Sequence, residues 1–125
     1  RSMSICRGIR GATLAEGNAA EAIYSATRDL LKGLIDANDI EERDVAAVHF
    51  SMTPDLNAVF PAAAARQLGW NNTALMGSVE IAVPDSLSRC IRVLILFNTV
   101  KEPQELMNLY LNGTDILRMQ GIESI

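Results

Sequence analysis

A single α/β domain, built on a mixed β-sheet with one long helix and short helical segments, is the fold class that the sequence predicts. Three observations carry it. Short runs rich in Ile, Val and Leu recur along the chain, one stretch of about twenty residues has helical periodicity, and Pro and Gly punctuate the rest. At 125 residues the chain holds one core, and residues 1–125 are read as one domain. A domain of this size buries roughly two-thirds of the surface that its unfolded chain exposes.

The elements follow in order. Ser4 to Ala12 reads as a strand, with Ile5, Arg7 and Ile9 on one face and Cys6, Gly8 and Arg10 on the other. Asn18 followed by Glu21 resembles a capping box, and a helix is expected from there to about Ala37. Ile23, Ala26, Leu30, Leu34 and Ala37 give it one apolar stripe, and the mostly polar Asp36 to Asp44 closes it. Val45 to Ser51 is a second strand, nearly all apolar as a covered strand should be. Thr53-Pro54-Asp55 reads as a helix start, with a break at Pro61 and an end at Gly69. Thr73 to Glu80 and Arg89 to Thr99 are two more strands, separated by a loop at Pro84-Asp85-Ser86. Met107 to Leu111 is a possible fifth strand, running into a turn at Asn112-Gly113.

Composition narrows the function. A net charge of −4 argues against non-specific nucleic-acid binding, which needs clustered Lys and Arg. It leaves room for an anionic small ligand, because a local arginine cluster can focus positive potential in an acidic protein. The longest apolar runs, such as Val93 to Phe97, are too short to span a bilayer. Arg1 and Ser2 ahead of Met3 read as a cloning remnant. With no basic segment leading into an apolar run at the start, a cytoplasmic location is expected. Two cysteines without CxxC spacing and one histidine fall short of a zinc site.

The chain has no Ser-His-Asp set, no phosphate loop and no GxGxxG, since Gly8-Ile9-Arg10-Gly11 lacks the third glycine. His49, mid-strand among apolar residues, reads as structural. What stands out is arginine inside apolar strands: Arg10 near the end of the first, and Arg92 within Cys-Ile-Arg-Val-Leu-Ile-Leu. An interior arginine needs an anionic partner. That partner is either a carboxylate of the chain, with Glu80 and Asp85 as candidates, or the carboxylate of a ligand, which an Arg fork matches in bidentate fashion.

These residues lie in segments that resemble the AroH-type chorismate mutases. Arg7-Gly-Ile-Arg-Gly-Ala-Thr13 resembles that family's opening strand. Thr53-Pro-Asp-Leu-Asn-Ala-Val-Phe-Pro61 resembles its T-x-D-L-x-x-x-F-P segment, with Arg66 and Gly69-Trp70 following in place. Cys90-Ile-Arg-Val93 resembles its CIRV strand, and Tyr110-Leu111 followed by Leu117-Arg118 resembles its ending. The resemblance runs from about Arg7 to Arg118. It implies a pseudo-barrel homotrimer with active sites between subunits, and a cofactor-free rearrangement of chorismate to prephenate in aromatic amino-acid biosynthesis. Carried over, Arg10, Glu80, Arg92 and Tyr110 come from one subunit, Phe60 and Arg66 from its neighbour, and Leu117 lines the pocket. Three positions depart from the family. Ala63 stands where a lysine is frequent, Gly77 where a cysteine is frequent, and Met119 where a proline follows the arginine.

The residue set suits that reaction. A unimolecular [3,3] rearrangement moves no proton, so it needs no nucleophile, base or metal. It needs restraint of a dianion in its compact conformer and a cation where charge develops on the departing ether oxygen. Within the resemblance, Arg92 takes the ether oxygen, and Arg10 with Tyr110 holds the side-chain carboxylate. Glu80 accepts from the ring hydroxyl, Phe60 forms an apolar wall and Arg66 faces the ring carboxylate. The alternative is a non-catalytic trimeric module that binds a carboxylate metabolite, and a blander one is a set of arginines that only pair across subunits.

Overall fold

The structure, a computed structural model, describes residues 3–119, so Arg1 and Ser2 lie outside the described residues. It contains β1 (Ile5–Leu14), α1 (Ala20–Asn38), β2 (Val45–Met52), α2 (Ala63–Gln67), β3 (Leu75–Val79), β4 (Cys90–Thr99), β5 (Leu109–Tyr110) and α3 (Ile116–Met119). The strands form one mixed sheet in the order β3-β2-β4-β1-β5. β4 pairs antiparallel with β1 and β2, while β2–β3 and β1–β5 are parallel. The predicted fold class is what the chain adopts. Among the described residues, no helix is long and apolar enough to cross a membrane.

Helix α1 covers one face of the sheet. Leu30, Leu31 and Leu34 pack with Ile9, Val48, Phe50, Val93, Ile95 and Phe97, all buried. The approach is close at Gly11 in β1, where any larger residue would make its neighbours shift. A Cβ on Gly11 would lie 2.8 Å from a methyl of both Leu30 and Leu34. The apolar stripe extends to Asn38 rather than the expected Ala37, which is exposed. Asn38 is buried because its amide does strand work: Nδ2 donates to the Leu34 and Met107 carbonyls, and Oδ1 accepts from Met107 N–H. The side chain thereby fixes the segment that leads into β5.

Other expectations are corrected. Asn18 does not cap α1. The cap position is Ala19, with no side-chain bond. The Asn18 Oδ1 instead accepts from the N–H groups of Asn57 and Ala58, tying the helix entrance to the loop after β2. Glu21 pairs with Arg28 at 2.7 Å. Thr53-Pro54-Asp55 starts no helix, because its oxygens are committed to the beginning of β4. Thr53 Oγ1 accepts from Cys90 N–H at 3.0 Å, and Asp55 Oδ2 from Arg89 N–H at 2.8 Å. The helical segment is confined to α2, beyond Pro61, and Gly69 at φ 95° ends it as expected. The fifth strand shrinks to Leu109–Tyr110, and Asn112-Gly113 turns the chain with both residues at positive φ.

β2 is also not covered on both sides. Val48 and Phe50 face α1, whereas His49 and Ser51 face the opposite, open side of the sheet together with the exposed Leu94, Leu96 and Met76.

Candidate active site

The open face of the sheet gathers most of the residues singled out above. Register alone places Ser78 of β3, Ser51 of β2, Arg92 of β4, Ala12 of β1 and Tyr110 of β5 side by side in one row across all five strands. Pairs in register share a face, so these side chains rise together. Arg10 stands one row away, opposite Leu94, and its own N–H is held by Asn108 Oδ1 at 2.8 Å.

Glu80 follows β3 and keeps the sheet's pairing through its N–H to the Met52 carbonyl, 2.8 Å. Its Oε2 lies 2.7 Å from Nη1 of Arg92 and 2.9 Å from Oγ of Ser51, which donates to it. Of the two carboxylates considered as partners of Arg92, Glu80 is therefore the one in place. Both side chains are about one-quarter exposed, at 24% and 27%, so the pair is shielded yet reachable from solvent. Partial burial pushes the Glu80 carboxyl upward, but the hydrogen bonds from Arg92 and Ser51 outweigh it and hold the group below the usual carboxylate range.

Two adjoining recesses share this pair. One of about 260 Å³ is lined by Arg10, His49, Ser51, Ser78, Glu80 and Arg92, among others. A smaller one of about 110 Å³ is more apolar and brings in Leu117 beside Cys90 and Ile81. Tyr110 packs with Ala12, Cys90 and Leu117, and the Arg118 guanidinium lies 5.6 Å from its ring centre. A larger recess of about 370 Å³ opens beside α1, but its lining includes Glu16 and Asp29 and no cation. That is the wrong sign for an anionic ligand, so the smaller, arginine-lined pair is the better candidate.

Phe60 and Arg66 are not brought to this recess. Phe60 is 82% exposed, in the turn before Pro61 rather than on a helix. Arg66 lies on α2 and donates to the Trp70 carbonyl at 2.6 Å. Ser51, Ser78 and Arg118 are among the residues here that had no assigned role in the sequence reading. Ser51 could have been found from the alternation of His49 and Ser51 with Val48 and Phe50, which marks a strand with one open face. His49 lies in the same recess, its Nε2 2.8 Å from Ser78 Oγ.

Comparison with known proteins bears on what such a face is for. Residues 6–120 match the family of type I chorismate mutases. The chain belongs to that family. Chorismate mutase AroH of Thermus thermophilus is 45% identical over 113 residues, which cover 90% of this chain and 93% of the relative. Chorismate mutase AroH of Bacillus subtilis is 39% identical over 113 residues, covering 90% and 89%. A solved chorismate mutase from Clostridium thermocellum superposes with a TM-score of 0.87 at 46% identity, covering 89% of this chain and 99% of that one.

Proposed function

We propose that this chorismate mutase works by electrostatic restraint on the open face of its sheet, with Arg92 as the central cation. The observation that carries the reading is the Arg92–Glu80 pair, held at 2.7 Å in a recess that also contains Arg10. In the rearrangement of chorismate to prephenate, negative charge grows on the departing ether oxygen. A guanidinium fixed there binds the transition state more tightly than the ground state. The salt bridge keeps Arg92 in one orientation before substrate arrives, so little reorganisation is needed at the moment of reaction. Arg10 and Tyr110 take the side-chain carboxylate, and the Glu80 carboxylate accepts the ring hydroxyl. Leu117 closes the apolar side.

Phe60 and Arg66 complete the site from a neighbouring subunit of a homotrimer. Support comes from the exposure of Phe60 and from the apolar Leu94, Leu96 and Met76 that share the face with the arginines. Phe60 forms a wall and Arg66 meets the ring carboxylate at the mouth. The same reading makes the protein a cytoplasmic enzyme with Cys6 and Cys90 as free thiols and with no cofactor. The family match favours catalysis over a non-catalytic carboxylate-binding module, which finds no support. The test is loss of chorismate absorbance on adding the purified protein, with and without a metal chelator. Equal turnover in both is expected, and none from a folded protein overturns the reading.

A further inference from the structure

We propose that Ser51 is a positioning residue that orients the Glu80 carboxylate toward Arg92 and the ligand. The inference rests on the catalytic reading of that pair and adds a residue to it. Its basis is the sheet order. β2 lies between β3 and β4, so Arg92 must reach over β2 to touch Glu80. Neighbouring strands are about 4.8 Å apart, which puts the backbones of β3 and β4 roughly 10 Å from each other.

The residue beneath that bridge is Ser51, the register partner of both Arg92 and Ser78. A large side chain there would stand between the two charges, so only a small one permits the contact. Serine is small and also supplies a hydroxyl donor. Its hydroxyl lies 2.9 Å from the same Oε2 that Arg92 approaches at 2.7 Å. Donors on two different strands thus converge on one carboxylate oxygen, and with the Ile81 N–H they restrict how the Glu80 carboxylate can turn. A carboxylate has about four acceptor positions, so capacity remains for a ligand hydroxyl. The bond from Ser51 also contributes to the lowered carboxyl of Glu80.

The experiment compares Ser51→Ala, Ser51→Thr and Ser51→Cys with the unaltered protein. Readouts are chorismate turnover across pH and a ¹³C NMR titration of the Glu80 side-chain carboxyl without substrate. The lost bond to a charged acceptor should lower kcat roughly tenfold in Ser51→Ala, with KM changed less than about threefold. The acid limb of the pH profile and the Glu80 carboxyl titration should both move to higher pH. Ser51→Thr keeps the hydroxyl and should restore both. Ser51→Cys keeps the size but donates weakly, so it should behave like Ser51→Ala even if the alanine variant folds poorly. Unchanged kcat and an unchanged Glu80 titration in Ser51→Ala and Ser51→Cys overturn the proposal. If the unaltered protein turns over no chorismate, the catalytic reading fails by itself, and the carboxyl titration still decides whether Ser51 sets the state of Glu80.

Discussion

The Arg92 guanidinium meets the Glu80 carboxylate at 2.7 Å across the full width of strand β2. The cation is therefore oriented by the fold, on a strand whose other face is packed into the core through Ile91, Val93 and Ile95. The Arg92 backbone lies on β4, the strand with two antiparallel partners, and its guanidinium is held by Glu80.

Replacing Arg92 with Ala should therefore cost kcat far more than KM. On the scale of an oxyanion donor the loss is roughly 10²-fold or more. Arg92→Lys should recover little, because an ammonium lacks the planar fork that could meet Glu80 and the proposed ether oxygen together. Steady-state kinetics decide it. Near-normal kcat in Arg92→Ala would show that charge development is met elsewhere.

The pH dependence follows from Glu80. Its folded carboxyl is depressed, so the carboxylate persists as pH falls through the ordinary glutamate range. Activity that needs the charged form should be flat there and decline only at more acidic pH. The linkage has the same sign. The stability that this group contributes is present above its unfolded value and is lost as pH falls through the lower folded one. Turnover and thermal melts measured in parallel check this. An acid limb at or above the ordinary glutamate range would contradict it.

The proposed sharing of the site between subunits predicts complementation. Arg66→Ala and Arg92→Ala proteins, each inactive alone, should regain part of the activity when mixed under subunit exchange. If the protein is the proposed trimer, some sites in the mixed assemblies then combine an intact Arg92 with an intact Arg66. Exchange confirmed by native mass measurement but without recovered activity would place all the catalytic groups within one chain.

Ala63 opens α2, and its N–H is bonded to the Phe60 carbonyl, one turn from the wall residue. If α2 meets the mouth of a neighbouring site as proposed, a lysine there adds a cation at its rim, worth only about 0–1 kcal/mol or at most about fivefold, because water and salt screen it. Ala63→Lys should lower KM a few-fold at low salt, less at high salt, with kcat barely changed. A large gain in kcat would mean that the position acts on the transition state. No effect at any ionic strength would place α2 away from the pocket mouth.

The strands and the long helix were legible because their apolar periodicity reports which face meets the core. Arg92 and Arg10 stood out for the same reason, as charges that break that pattern in Cys90-Ile-Arg-Val93 and in the opening strand. Polar residues were harder to read. Thr53, Asp55, Asn18 and Asn38 look alike in sequence whether they cap a helix or hold a distant strand, because their hydrogen bonds are chosen by chain segments tens of residues away. Gly77 is the converse case. A Cβ there would meet nothing closer than the Phe50 carbonyl at 3.7 Å, so the backbone does not require glycine and the family's cysteine would have room.

Asn38 carries a hazard of its own. Its amide nitrogen faces two carbonyl oxygens, of Leu34 and Met107, each at 2.9 Å. Aspartate has nearly the same shape, so replacement or hydrolysis of the amide would leave volume and packing almost untouched. It would nevertheless replace two N–H donors by a carboxyl group facing two buried carbonyl oxygens, which must either stay charged against them or take up a proton and offer one donor for two acceptors. The segment pushed away begins three residues before Tyr110. Among the described residues, the longest helix and the segment that enters the shortest strand are thus joined by both ends of one amide, and loss of its nitrogen would be felt at that junction, three residues from Tyr110.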